Sequence, residues 1–290
     1  MSHFNISPQK VLHLWKEEEK KNPKIDGDYI VTEKVDGWFC FIDYSVTHGW
    51  SFVSNENRII PSFIWTRGWF EKLPKFSVDL RLIMEAYIPE TPFHILNGIF
   101  NRKEEDAKDV HFVIHDVVFP NDLGATNYER YFKLYDLGLS KSLNIDRLSL
   151  MPLCVVSPDK SVWLKYFDEI VSRGGEGVVL KSANGVYTPG KRNSSLMKIK
   201  CEEEFDLLAI DYYKTIGEKG NDAWNLLLKD KNGKTQSVRV GKDEDIANFA
   251  LYSPVGKVHQ IKCMKRLPDG SFREPTYVGI REDKNITEID

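Results

Sequence analysis

Two apolar rhythms divide this 290-residue chain. Ser7 is a residue type that caps helices, Pro8 suits a first helical turn, and Val11, Leu12, Leu14 and Trp15 then form one stripe, which predicts a short opening helix. From Tyr29 the text turns β-rich. Strands are predicted at Tyr29–Lys34, Trp38–Tyr44, Ser51–Ser54, Leu82–Ile88 and Phe112–Phe119, with a helix over Trp65–Leu73. Asp36-Gly37 falls between the first two strands, and this dipeptide favours a tight hairpin turn, which sets Lys34 beside it. Trp163, Tyr166, Phe167, Ile170 and Val171 repeat with a helical period between Asp159 and Arg173, and Gly174-Gly175 supplies the stop before a strand at Gly177–Lys181.

Beyond Lys200 comes an acidic run, Glu202-Glu203-Glu204, and after it only strand-like segments: Phe205–Tyr213, Trp224–Leu228, Thr235–Val240, Lys257–Met264 and Tyr277–Ile280. Asn232-Gly233 and Asp269-Gly270 mark hairpin turns there. The pattern predicts an α+β chain in two domains, residues 1–201 of mixed structure and residues 202–290 a small all-β barrel or sandwich, with the hinge near Cys201–Phe205.

Composition narrows the class. With 41 % hydrophobic and 29 % charged residues the chain can bury a sizeable core, which argues against disorder of the bulk. Apolar runs are short and Met1–Asn5 is polar, so an unexported protein with no membrane partner is expected. Cys40, Cys154, Cys201 and Cys263 lie far apart without a C-x-x-C pair, which suggests neither a zinc ribbon nor a disulfide framework and fits a reducing, cytoplasmic setting. The remaining histidines besides His115 show no pair at metal-ligand spacing. Net charge is −3, and from Lys181 onward 19 Lys and Arg face 17 Asp and Glu, so any nucleic-acid surface must be local.

The chemistry-bearing text starts at Lys34-Val35-Asp36-Gly37. A lysine amine attacks phosphorus once it is neutral, and burial or nearby cations lower its pKa toward that state; the same residues also suit a plain surface hairpin. Downstream, Glu176 and Lys181 flank the apolar strand Gly177-Val178-Val179-Leu180, and Leu196-Met197-Lys198-Ile199-Lys200 follows. Alternation puts Lys198 and Lys200 on one strand face, where two ammonium groups repel unless an anion lies between them or the face is solvated. A polyphosphate is such an anion.

In this order, Lys34–Gly37, Glu85 within Ile83-Met84-Glu85-Ala86, Glu176–Lys181 and Lys198-Ile199-Lys200 resemble the motifs of the covalent nucleotidyltransferases, the superfamily of ATP-dependent DNA ligases, RNA ligases and capping enzymes. Arg273-Glu274-Pro275-Thr276-Tyr277, with Arg281 four residues on, is similar to the closing motif of DNA ligases. The likeness runs from Tyr29 to Lys284 and is densest after Gly174, where the wording looks closest to small ligases of phages and large DNA viruses. It implies a nucleotidyltransferase domain of antiparallel sheets with helices, followed by an OB-fold domain that swings between steps.

The resemblance also implies roles. Lys34 would attack the α-phosphorus of ATP to give a lysyl-adenylate, with Asp36 orienting it and Glu33 beside it in the nucleotide site. Glu85 falls where the family binds the ribose, and Glu85 and Glu176 are the carboxylates for Mg²⁺. Lys181, Lys198 and Lys200 fall where ammonium groups meet phosphate, and Arg273 and Arg281 where pyrophosphate is oriented. His115 stands where an aromatic residue stacks on adenine, or is a satisfied core histidine at a strand end. Two departures stand out: Phe39 and Asn55 occupy positions where the family carries arginine. Arg58 is the candidate to compensate. The expected partner is nicked duplex DNA, bound by a monomer with modest affinity through Ser54, Asn55, Arg58, Lys191 and Arg192, with Lys262, Lys265 and Arg266 on the second domain. Thr215–Asp222 has little room for a DNA-wrapping insertion, and the stretch before Tyr29 none for a further DNA-binding domain. An RNA or hybrid-end ligase, a capping guanylyltransferase and a silent nucleic-acid-binding module are the competing readings.

Overall fold

A computed structural model describes residues 4–14, 25–73, 75–101, 107–137, 147–216, 222–240, 246, 249 and 251–290. Its contacts divide the chain into two units, Met1–Lys200 and Cys201–Asp290. The first contains β1 (Lys10–His13), β2 (Tyr29–Glu33), β3 (Trp38–Ser45), β4 (Gly49–Ser54), a 3₁₀ turn at Pro61–Thr66, α1 (Arg67–Phe70), β5 (Leu80–Tyr87), α2 (Phe93–Phe100) and β6 (His111–Val118). It continues with α3 (Asn127–Asp136), β7 (Leu148–Leu150), β8 (Leu153–Ser157), α4 (Lys160–Ser172), β9 (Gly177–Ser182) and β10 (Arg192–Lys200).

These strands form two five-stranded sheets, ordered β1-β10-β9-β2-β8 and β4-β3-β5-β6-β7. Most pairs are antiparallel; β1 lies parallel to β10, and β7 parallel to β6. On the first sheet, alternation along β10 sends Met197 and Ile199 into a core with Val31, Leu180 and the Trp163, Phe167 and Ile170 face of α4. Lys198 and Lys200 point the other way. The second sheet is buried on both faces. Ile42, Phe52, Leu82, Met84 and Phe112 join an aromatic core with Phe63 and Phe70, while Phe41, Val53, Ile83 and Val118 pack on Tyr187. Strands covered on both sides read as near-continuous apolar runs, which is why β5 and β6 stood out in the sequence.

The second unit is a β-barrel. In it, β11 (Glu203–Ile216), β12 (Asp222–Lys229) and β13 (Thr235–Val240) form a meander, β14 (Val258–Cys263) pairs back on β11, and the short β15 (Lys265–Arg266) and β16 (Phe272–Arg273) pair together. β17 (Thr276–Ile280) pairs with β14 and lies against β13, so the order closes on itself around Leu207, Leu226, Val238, Ile261 and Phe272. This is the OB-fold order, and the whole chain is α+β with strands predominating. Gly233 and Gly270 hold φ values of +85° and +81° in the turns expected of them.

Three expectations are corrected. The opening segment is the strand β1, not a helix: Leu12 faces Met197 and His13 faces Lys198 across the parallel ladder. An unpaired edge of β10 offers backbone bonds and buries Leu14, which outweighs a weak local preference for helix. Trp15 lies outside the described residues. Asp36-Gly37 is not a hairpin, because β2 belongs to one sheet and β3 to the other; the dipeptide is the crossover between them. The stretch Trp65–Leu73 is split between the 3₁₀ turn and the four-residue α1, with helix-weakening Gly68 inside it. Residues 217–221 of the Thr215–Asp222 loop fall outside the described residues. Among the described residues no helix is long and apolar enough to cross a membrane.

Candidate active site

Between the two sheets of the first unit lies a cavity of about 360 Å³. Its walls come from β2 and its exit (Thr32, Glu33, Lys34, Val35), from β5 and β6 (Ile83, Glu85, His115, Asp116), from β9 and β10 (Val179, Lys181, Leu196, Lys198), and from Phe39, Asn55, Asn127, Met151 and Tyr187. Pro8, Gln9 and Val11 close it from the N-terminal segment. That segment is tied down on both sides. The buried Arg81 guanidinium grips the Asp43 carboxylate and donates to the carbonyls of Phe4 and Ile6, while the Tyr187 hydroxyl accepts from the Gln9 N–H and donates to the Ser7 carbonyl.

Lys34 leaves β2 at the cavity. Its N–H donates to the Gly177 carbonyl at 2.8 Å and its Nζ donates to Glu176 Oε2 at 2.7 Å. Gly177 makes this approach possible. Its φ is +144°, and a Cβ there would sit 2.1 Å from the Ile199 carbonyl oxygen. Glu85 comes from the other sheet. Gly37 lets the crossover pass against it, since a Cβ at Gly37 would lie 3.0 Å from both Glu85 Cβ and the Ala86 carbonyl oxygen. Glu85 Oε2 is buried with no hydrogen-bond partner. Burial pushes this carboxyl up to about 8, opposed by the Lys34 ammonium and aided by the charges of Glu176 and Asp36. Asp36 itself is half-buried beside the crossover.

His115 is half-buried, with its ring 6.0 Å from that of Phe39. Burial, reinforced by the Lys181 charge, pulls its imidazole down to about 3, so the ring is neutral at physiological pH. Lys181 Nζ donates to the His115 carbonyl at 2.6 Å and to Asp116 Oδ2 at 3.2 Å. Asp116 in turn accepts from Arg130 Nε at 3.0 Å and Nη2 at 3.2 Å. Burial would raise the Asp116 pKa, yet Arg130 and Lys181 together hold it well below the usual carboxylate range. Burial lowers that of Lys181, against the attraction of Asp116.

Lys34, Glu33, Glu85, His115, Lys181, Lys198 and Asn55 thus meet at one cavity, with Glu176 bonded to Lys34. Lys200 shares the face of Lys198 but is buried opposite Gly177, outside the lining. Ser54 Oγ accepts from the N–H groups of Glu56 and Arg58 and so shapes the turn that presents Asn55. Arg58 is 80 % exposed, paired with Glu56 at 3.0 Å and absent from the cavity wall. Lys191 and Arg192 are exposed beside β1. Arg273 and Arg281 belong to the second unit, where Arg281 bonds Asp206 at 3.1 Å and Asp283 at 2.7 Å. There Lys262 pairs with Glu204, Lys265 stands opposite Arg273, and Arg266 bonds Asp230.

Sequence reading missed Asp116, Arg130, Asn127 and Tyr187. One signal was available: Thr126 and Glu129 form a capping box that announces α3, the helix carrying Asn127 and Arg130. Glu85 and Glu176 are hard oxygen donors, and the unpartnered Oε2 suits Mg²⁺ or a sugar hydroxyl. Among the described residues there is no cluster of three or more metal-binding side chains.

Residues 73–200 match the family model of the ATP-dependent DNA ligase domain. Beyond it, the chain is 26 % identical over 230 residues to a DNA ligase of African swine fever virus, 73 % of this chain and 54 % of that protein, and 26 % identical over 272 residues to a DNA ligase of Variola virus, 88 % and 47 %. It spans about half the length of the curated relatives it matches. In fold, a structure from work on Lig E DNA ligases superposes with a TM-score of 0.74 at 18 % identity, over 96 % of this chain and 100 % of that one. The ATP-dependent DNA ligase of bacteriophage T7, in complex with ATP, gives 0.57 at 17 %, over 96 % and 100 %. The matched ligase segment begins before β5, so it includes Glu85, His115, Glu176, Lys181, Lys198 and Lys200, while Lys34 lies upstream.

Proposed function

We propose that the chain is an ATP-dependent DNA ligase that seals 3′-OH/5′-phosphate nicks in duplex DNA. The carrying observation is Lys34 on the wall of an inter-sheet cavity, its Nζ 2.7 Å from Glu176, with Glu85 and its unpartnered Oε2 on the same wall. In the first step the Lys34 amine attacks the α-phosphorus of ATP. A P–N bond forms, the bond to the bridging oxygen breaks, pyrophosphate leaves with that electron pair, and the amine loses one proton. The AMP then passes to the 5′-phosphate of the nick, and the 3′-hydroxyl displaces it to close the strand.

Asp36 orients Lys34, and Glu33 lines the nucleotide site. Lys198 and Lys200 offset phosphate charge, and the neutral His115 ring offers a flat face for adenine. Glu85 and Glu176 would hold Mg²⁺, which supplies further charge neutralisation on the phosphates when bound. Arg273 and Arg281 serve the pyrophosphate from the OB-fold unit, which requires Arg281 to exchange its carboxylate partners. Asn55, with Ser54 shaping its turn, and the exposed Arg58, Lys191 and Arg192 meet the nicked duplex, which one monomer binds. Four free cysteines suit the reducing host-cell cytoplasm.

The test is intact mass after incubation with ATP and Mg²⁺, followed by sealing of nicked DNA and nicked RNA side by side. A gain of one AMP, lost in Lys34→Ala, with DNA sealing is expected. No adduct on the wild-type chain, or sealing that survives Lys34→Ala, removes the proposal. Preference for the RNA nick converts it to the RNA-ligase reading.

A further inference from the structure

The β5–β6 ladder slips between Met84, which faces Ile114, and Ile83, which faces Asp116, so His115 is the extra residue of a β-bulge. A bulge turns one side chain away from the regular alternation and leaves its backbone outside the ladder. Here the turned side chain is the ring on the cavity wall. The His115 carbonyl then needs a donor, and it comes from the opposite sheet: Lys181 on β9 reaches across with Nζ at 2.6 Å.

The lysine is held there. Asp116 Oδ2 takes a second Nζ proton at 3.2 Å, and Asp116 Oδ1 accepts from the Val117 N–H at 2.8 Å. Arg130 from α3 braces Asp116 with two bonds and donates to the Ala125 carbonyl at 2.7 Å. Lys181, Asp116 and Arg130 are all buried. We propose that Lys181 is a positioning residue that locks the His115 bulge and thereby the base-side wall of the cavity, rather than a phosphate contact. Swinging Nζ toward a phosphate would strip a buried carbonyl of its donor and loosen Asp116, costs that a lysine on an open wall does not meet. The proposal rests on the reading of this cavity as a nucleotide site.

Two probes separate base from phosphate: adenosine, which has no phosphate, and tripolyphosphate, which has no base. Each is titrated as a competitor of self-adenylylation by ATP on the full chain. In Lys181→Met we expect adenosine binding to weaken about tenfold, tripolyphosphate binding to stay within about twofold, and KM for ATP to rise with kcat nearly unchanged. Asp116→Asn is expected to share this pattern, and the double variant to be little worse than either single one, since the two side chains form one strut. Lys181→Arg, which keeps a cationic donor, is expected to restore much of the adenosine affinity. Should Lys181→Met fail to fold, Asp116→Asn carries the same pair of readouts. A wild-type chain that binds both probes, with a variant that loses tripolyphosphate and keeps adenosine, overturns the positioning role alone. A wild-type chain that binds neither probe overturns the nucleotide reading as well.

Discussion

Gly177→Ala tests how the site is built, because one methyl group meets both the fold and the segment that holds the proposed nucleophile, Lys34. The added Cβ would lie 2.1 Å from the Ile199 carbonyl oxygen and 2.9 Å from Lys200 Cα, so β9 and β10 must part by about 1 Å at this end to restore ordinary contact. A φ of +144° adds strain that glycine does not feel, about 1–3 kcal/mol. One or two weakened ladder bonds add about 1 kcal/mol each, for a total near 2–5 kcal/mol, a sizeable share of the roughly 5–15 kcal/mol that stabilises an ordinary domain. Urea unfolding followed by tryptophan fluorescence reads this; with a slope of about 3 kcal/mol per molar, the midpoint falls by roughly 0.7–1.7 M. Because the Gly177 carbonyl accepts from the Lys34 N–H, adenylylation of the variant should fall even where it remains folded. A midpoint shift under about 0.3 M with full adenylylation would refute the claim that this glycine sets the approach of the two strands.

Two further outcomes follow from buried charge. The Glu85 carboxyl holds its proton up to about 8 in the folded ligand-free protein but releases it near 4.5 when unfolded, so the unfolded state binds fewer protons between those values and stability declines as pH rises through that window. Glu85→Gln, neutral throughout, should match wild type near pH 4.5 and melt progressively higher than it toward pH 8; a difference that does not grow with pH counts against the assignment. Arg81→Met removes both guanidinium bonds to the fully buried Asp43 and the hold on the Phe4 and Ile6 carbonyls, costing about 3–5 kcal/mol and lowering the melting temperature by about 6–20 °C. Adding Asp43→Leu should recover part of the loss, and no recovery would show that the pair is not the source.

Much of the site was legible because its chemistry is local in sequence. Lys34 and Gly37 share a crossover, Glu176 and Lys181 bound β9, and Lys198 and Lys200 sit two apart on β10. What was illegible depends on partners far along the chain. Asp36-Gly37 has the composition of a hairpin, and only the assignment of β2 and β3 to separate sheets makes it a crossover. The opening strand exists because β10 leaves an edge at Met197 and Lys198, a fact absent from residues 7–15 themselves. Asp116 and Arg130, fourteen residues apart on a strand and a helix, meet in one buried pair that no short motif records. Arg58 shows how nearness in sequence differs from nearness in space. It stands three residues from Asn55, which lines the cavity, yet it lies on the surface, 80 % exposed and paired with Glu56.

The two sheets also explain how a chain of net charge −3 gathers several ammonium groups at one cavity. The first sheet brings Lys34, Lys181 and Lys198 to the cavity, and the second brings Glu85 and Asp116. Asp116 is already spent on Arg130 and Lys181, and Glu85 stays protonated below about pH 8, so neither cancels the remaining ammonium groups at neutral pH. Glu176 binds Lys34 directly. The arrangement depends on Gly37, which lets the chain pass from one sheet to the other against Glu85, where a Cβ would lie 3.0 Å from Glu85 Cβ.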